Sequence, residues 1–345
     1  MSRIDEVFSG MFPYALPVMS RRQFGRLAAA GTILSVSGRK ARAQPLEEVR
    51  LDFAYYSVPS LALRRFGWLE EHFRADGVKV RWVQSQGSNR ALEFLAAGGV
   101  DFGSTAGLAA LLARANGNPI RTVYVFAQPE WTALAVSRTS SISTLADLRA
   151  RRIAVTKGTD PHLFLLRALR EAGIPRDAVE VVHLQHADGR AALEQGRVDA
   201  WAGLDPHLAA SELLAGTRVI YRNPAFNTFG VLNATETFLA RHPGPASRVL
   251  AGYERARRWV VGHPQEAARL LADEARLPIP VAERQLRRTQ FPDASPGAAL
   301  RATLEASAPL LAAEQLVRRG SDPLQAIDGL LDPRPFGAAR LSTAG

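Results

Sequence analysis

From Val49 to Tyr221 the chain alternates short apolar runs with stretches of helical period, and this alternation constrains the fold more than any other feature. Val49–Ala54, Val78–Val83, Val100–Gly103, Ile120–Ala127, Arg152–Thr156, Val179–Leu184, Val198–Ala202 and Val219–Tyr221 read as strands. Leu61–Arg74, Ala91–Ala97, Leu108–Ala115, Leu145–Arg149, Pro161–Ala172 and Gly189–Gln195 read as helices, the last capped by Asp188. From Glu236 to about Leu331 the pattern is helical, with a stripe of Val249, Tyr253 and Val260. Strands linked through helices pair in parallel and need cover on both faces. The expected class is therefore α/β, with mostly parallel sheets flanked by helices. A chain of 345 residues suits about two such units. The stretch 332–345, with its Pro and Gly, reads as a flexible tail.

Ligands of such sheets sit outside the strand C-termini, where helix N-termini leave backbone N–H groups free. Gln86-Gly87-Ser88-Asn89, Ser104-Thr105, Gly158-Thr159-Asp160 and Asp205-Pro206 all read as loops at that level. Ordinary helix capping would account for any one of them. As a set drawn from both halves, they favour a cleft that takes an anion. Trp201 ends a strand on the same side and has two open readings: a core aromatic, or a ring stacked on the ligand.

Other chemistry is thin. There is no cysteine, which removes disulfides, thiolate nucleophiles, Cys-based metal sites and a lipobox anchor. The seven histidines fall in no HExxH or similar spacing, and His183 and His186 read as polar groups of a loop. Neither a nucleophile-elbow serine nor a phosphate-binding P-loop is present. No cofactor or metal is expected. The formal charge of +10 is half supplied by residues 1–43, and the rest is diffuse arginine without a nucleic-acid motif.

The N-terminus reads as an address. Ser20-Arg21-Arg22-Gln23-Phe24-Gly25-Arg26 resembles a twin-arginine export signal, with Gly25 where Leu is usual. A short apolar run, Leu27–Val36, precedes Ala41-Arg42-Ala43, a small-x-small cleavage pattern that places the cut between Ala43 and Gln44. Met19 directly before Ser20 suggests a later start, with residues 1–18 untranslated. The expected product is a periplasmic protein without a lipid anchor, carried out by the twin-arginine translocase.

Several stretches then occur in a telling order. Ala91-Leu92-Glu93 leads to Val100-Asp101-Phe102-Gly103-Ser104-Thr105, followed by Ser141–Leu148 and by Val155-Thr156-Lys157-Gly158-Thr159. Asp188-Gly189-Arg190-Ala191-Ala192, Gly196-Arg197-Val198-Asp199-Ala200-Trp201 and Asp205-Pro206 complete the series. In this order the chain resembles the periplasmic substrate-binding proteins of ABC importers for nitrate, aliphatic sulfonates and taurine, the NMT1/THI5-like family. The resemblance implies a two-lobed, type II periplasmic-binding fold with a hinge. Lobe I would span 46–135 plus 232–331 and lobe II 136–228. It implies a monomer that captures a small organic anion and delivers it to a permease and its ATPase. Residues matching the family's cleft are Tyr56, Ser57, Ser88, Asn89, Ser104, Thr105, Thr159, Asp160 and Trp201. Leu204 departs from a common second Trp, and Asp160 from a common Asn, which suits a zwitterionic ligand or a helix cap. A heteroaromatic solute is the alternative, favoured by Tyr55, Tyr56, Trp131 and Trp201. Enzymes on this fold resemble cysteine-dependent chemistry, which this chain lacks, so binding is expected over turnover.

Overall fold

The computed structural model describes residues 46–342. The expected export signal (Arg21, Arg22, Phe24) and cleavage site (Ala43, Gln44) lie outside them.

The elements run in order as follows. β1 (Glu48–Phe53), α1 (Val58–Phe66), α2 (Trp68–Phe73), β2 (Lys79–Gln84), α3 (Ser88–Ala96), β3 (Phe102–Ala106), α4 (Gly107–Ala115) and β4 (Ile120–Pro129) form the first block. β5 (Thr132–Val136), β6 (Arg152–Val155), α5 (Asp160–Glu171), β7 (Glu180–His183), α6 (His186–Glu194), β8 (Ala200–Leu204), α7 (His207–Ala210) and β9 (Arg218–Tyr221) form the second. The chain then returns through β10 (Gly230–Thr235) to α8 (Glu236–Arg241), α9 (Pro243–Gly262), α10 (Pro264–Ala275) and α11 (Ile279–Arg287). It ends with β11 (Thr289–Gln290), α12 (Ala298–Ala313), α13 (Pro323–Leu330) and α14 (Arg334–Ser342).

Two sheets result. The first has the order β11-β4-β10-β3-β1-β2 and the second β7-β6-β8-β5-β9. Within each, one inner strand runs against both its neighbours, and in the first the short edge strand β11 is also antiparallel to β4. β10 is antiparallel to β3 and β4, and β5 is antiparallel to β8 and β9, whereas β1–β2, β1–β3, β6–β7 and β6–β8 are parallel. Each of these two, β10 and β5, is the strand by which the chain enters its lobe from the other. This is the two-lobed α/β architecture expected.

The sheets carry separate cores. Phe102, Tyr124, Phe126, Leu232 and Tyr253 sit fully buried in the first. Leu134, Ile153, Phe164 and Ala200 do so in the second. Ser104 and Thr105 do not lie on a loop, as expected, but within β3, every residue of which is buried. Strand β5, unexpected from the sequence, belongs to the second sheet, so the chain crosses between lobes before Thr132 and not near Val136. The expected tail from 332 instead carries α14, whose Phe336 and Ala339 are buried; Phe336 stacks edge-on against Tyr124 at 5.1 Å. An aromatic anchor outweighs the local Pro and Gly there. Among the described residues no helix is long and apolar enough to cross a membrane.

Candidate functional site

Four parallel strands end at one place. The segments after β1 and β2 in lobe I face those after β7 and β8 in lobe II. Between them lies a cavity of about 210 Å³ lined by Tyr55, Tyr56, Gln84, Ser85, Gln86, Gln185, His186, Ala187, Asp188, Leu204, Asp205, Pro206 and His207. A larger groove of about 450 Å³, lined by Arg121, Glu236 and Arg334 among others, lies at the opposite end of the first sheet, away from the strand C-termini. Position therefore singles out the smaller cavity.

Two helices aim their N-termini at it. α6 starts at His186, and its first backbone bond is Gly189 N–H to Gln185 O at 2.7 Å. The N–H groups of His186, Ala187 and Asp188 precede that bond and have no partner within the helix. All three residues line the cavity. On the other wall α3 starts at Ser88 behind Gly87, and Ser85 and Gln86 lead into it. The walls touch: a Cβ on Gly87 would stand 2.9 Å from His186 Nε2. No Arg or Lys lines the cavity, and Asp188 and Asp205 do, so what it offers an anion is the positive ends of the two helix dipoles.

Burial disfavours a charge on both histidines of the wall. Burial pushes His186 down to about 3, with His207 a lesser cause. His207 is held down to about 4, chiefly by burial and then by Arg190. Asp205 is pushed up to about 6 by burial, against the pull of Arg288, whose guanidinium lies 3.3 Å from both carboxylate oxygens. Ala209 N–H donates to the same carboxylate at 2.9 Å.

Of the residues expected to bind, the structure brings Tyr56, Gln86, Gly87 and Asp205 to the cavity, with Asn89 against Gly87. Tyr56 is fixed by its hydroxyl donating to Ser104 O at 2.9 Å. The others do not line the cavity and bond elsewhere through backbone or side chain, although Ser57 Oγ and Ser104 Oγ are buried without a partner. Ser57 O accepts from Ser60 Oγ at 2.6 Å, and Ser88 Oγ accepts from Ala106 N–H at 3.0 Å. Ser104 N–H donates to Asp52 Oδ1 at 2.7 Å, and Thr105 Oγ1 accepts from Asn233 Nδ2 at 2.8 Å. Gly158 turns the chain with φ of 75°, and Thr159 Oγ1 donates to Thr156 O at 2.6 Å.

Asp160 is buried and bonded to groups well beyond its own helix. It accepts from Trp131 Nε1 at 3.2 Å, from Thr228 N–H at 3.1 Å and from Thr228 Oγ1 at 2.8 Å, tying α5 to both chain crossings. Trp201 is fully buried and does not line the cavity. Gly189 of α6 and Gly203 of β8 lie so close to its ring that a Cβ on either would come within 3.0 Å. This placement is that of a core aromatic.

Sequence reasoning missed Gln185, His186, Ala187 and His207. The strand-end rule applied to β7 would have reached the first three, and applied to β8 the last, but Asp188 looked like the cap of a helix starting at Gly189. Gln185 is the cap residue instead, and the helix begins at His186.

The family model described as NMT1/THI5 like matches residues 70–267. The chain belongs to the NMT1/THI5-like family. This family member is 32% identical over 265 residues to a protein of Escherichia coli (strain K12) named for binding aliphatic sulfonates, covering 75% of this chain and 82% of that protein. The alkanesulfonate-binding protein SsuA from Xanthomonas axonopodis pv. citri, solved bound to MOPS, superposes with a TM-score of 0.75 at 25% identity, over 82% of this chain and 99% of that one. The periplasmic aliphatic sulphonate binding protein SsuA from Escherichia coli superposes with a TM-score of 0.69 at 29% identity, over 81% and 91%.

Proposed function

We propose that this chain is a periplasmic solute-binding protein of an ABC importer, and that its cleft captures a small organic anion of the alkanesulfonate class. One observation carries the reading. The N-termini of α3 and α6 approach from opposite lobes and meet at a cavity with no Arg or Lys in its wall. Free N–H donors and two positive dipole ends suit a tetrahedral oxyanion, whose oxygens can bond to both walls at once. Tyr55, Tyr56, Leu204 and Pro206 supply the apolar surface that an alkyl chain needs. The names of the relatives support the same ligand class. Capture fits better than turnover, because the chain has no cysteine to act as a nucleophile.

Hinge closure around the solute would present one closed shape to a permease and its ATPase. Export by the twin-arginine translocase, removal of residues 1–43, a monomeric state and the absence of a lipid anchor complete the proposal. Calorimetric titration of the purified chain with ethanesulfonate, taurine, nitrate and thiamine tests it. Saturable one-to-one binding of a sulfonate without turnover supports the reading. Binding of thiamine or nitrate alone would replace it.

A further inference from the structure

The ring of His186 is held in one tautomer. Thr156 Oγ1 has a single proton, and it donates this to Leu184 O at 2.8 Å. The same oxygen lies 3.1 Å from His186 Nδ1. With its proton committed, the hydroxyl can only accept there, so Nδ1 carries the ring's N–H. In the neutral ring Nε2 is therefore a bare lone pair. His186 is 1% exposed, its Nε2 has no partner, and that atom abuts Gly87 of the opposite wall at the edge of the cavity.

This arrangement is mismatched to an anion. The three N–H groups at the start of α6 attract one, but the lone pair beside them repels it. A proton on Nε2 turns that repulsion into a charge-assisted hydrogen bond. We propose that the anion and one proton enter the cleft together, so that His186 is neutral when the cleft is empty and an imidazolium donating from Nε2 when it is filled. This rests on the cleft being the anion site.

The charged and titratable groups around His186 are consistent with the coupling. Its own helix offers Asp188, the segment after β8 offers Asp205, already paired with Arg288, and α7 offers His207. The loop after β6 carries Lys157, and the facing wall of lobe I supplies only tyrosines, amides and a serine. Burial and His207 hold the empty-state proton off. The anion is the one new charge that reverses the balance.

The test is calorimetry with ethanesulfonate, which stays anionic over the whole range. It is run at pH 6 in two sulfonate-free buffers of different protonation enthalpy, Bis-Tris and imidazole. The expected result is net proton uptake per bound ligand, with affinity rising by up to about tenfold per pH unit as pH falls from 7 to 5. His186→Gln places an amide donor near the Nε2 position but cannot titrate. It should bind with an affinity independent of pH and without proton uptake. Ethanesulfonate binding with no proton uptake in the parent chain would overturn the proposal while leaving the cleft reading intact, as would uptake persisting in H186Q. Failure of any sulfonate to bind would overturn both.

Discussion

His186 Nε2 and Gly87 meet across the cleft, with 2.9 Å between that nitrogen and the point a Cβ on Gly87 would occupy. One residue belongs to the N-terminus of α6 and the other precedes α3, so the contact measures how far the lobes have closed.

Gly87→Ala places a methyl in that gap, 2.9 Å also from Asn89 Oδ1. Overpacking of this kind costs about 1–3 kcal/mol. The clash with His186 falls on the closed state, so sulfonate affinity should drop by about tenfold or more, while the clash with Asn89, within lobe I, should lower the melting temperature without ligand by a few degrees. Calorimetry paired with a thermal melt checks both. Unchanged affinity would mean that the cleft admits ligand without closing on this contact.

Trp201 separates packing from recognition. Its indole is wedged against Gly189 and Gly203 in the core of lobe II. Trp201→Phe leaves a cavity there and should cost ~1–3 kcal/mol of stability, read by denaturant titration. Sulfonate affinity at 25 °C should stay within about threefold. Thr159→Ala, a change that sequence reasoning aims at the ligand, should cost ~1 kcal/mol of stability and leave affinity alone, because its hydroxyl serves Thr156 O.

Much of the fold was legible because the strands of both parallel blocks announce themselves as apolar runs, and buried parallel strands must. β5 and β10 were not legible. Thr132–Val136 and Gly230–Thr235 follow chain crossings with no helix before them, so no alternation marks them. The site was half legible. Loop composition found Gln86 and Gly87, but small polar residues also serve buried backbone, and Ser88, Thr105, Thr159 and Asp160 do that here. What distinguishes the two uses is which groups already have partners, and only the folded chain shows it.

Arg288 joins the lobes. It follows α11, whose Val281 packs on Ala209 and Ala210 of lobe II. Its guanidinium reaches Asp205 at 3.3 Å and Glu212 at 2.7 Å. Arg288→Met would leave Asp205, 1% exposed, without its counter-charge. Removing one member of a buried pair costs ~3–5 kcal/mol, and much of that should appear as lower stability near pH 8, measured by chemical denaturation. A loss below ~1 kcal/mol would show that Asp205 does not depend on Arg288.

Asp52 should give a pH signature. It lies fully buried on β1, and desolvation raises its carboxyl to about 7, although Ser104 N–H donates to it. A raised carboxyl is protonated in the folded state and ionised in the unfolded one between its ordinary value of 3.8 and about 7. Its contribution to stability is thus full at low pH and lost as pH rises through that window. Asp52→Asn keeps the acceptor for Ser104 and removes the titration. The stability of this variant relative to the parent should rise by ~3 kcal/mol from pH 4 to pH 8, followed by urea denaturation at each pH. A flat difference would place Asp52 in contact with water or with an unseen partner.

The central claim is that the N-termini of α3 and α6 hold an anion between the lobes. A crystal structure of the chain with ethanesulfonate tests it most directly. The expected result is a sulfonate whose oxygens accept from the backbone N–H groups of His186, Ala187 or Asp188, with the ethyl group against Tyr55 or Tyr56. A sulfonate seated elsewhere, or one bound only to side chains of a single lobe, would contradict it.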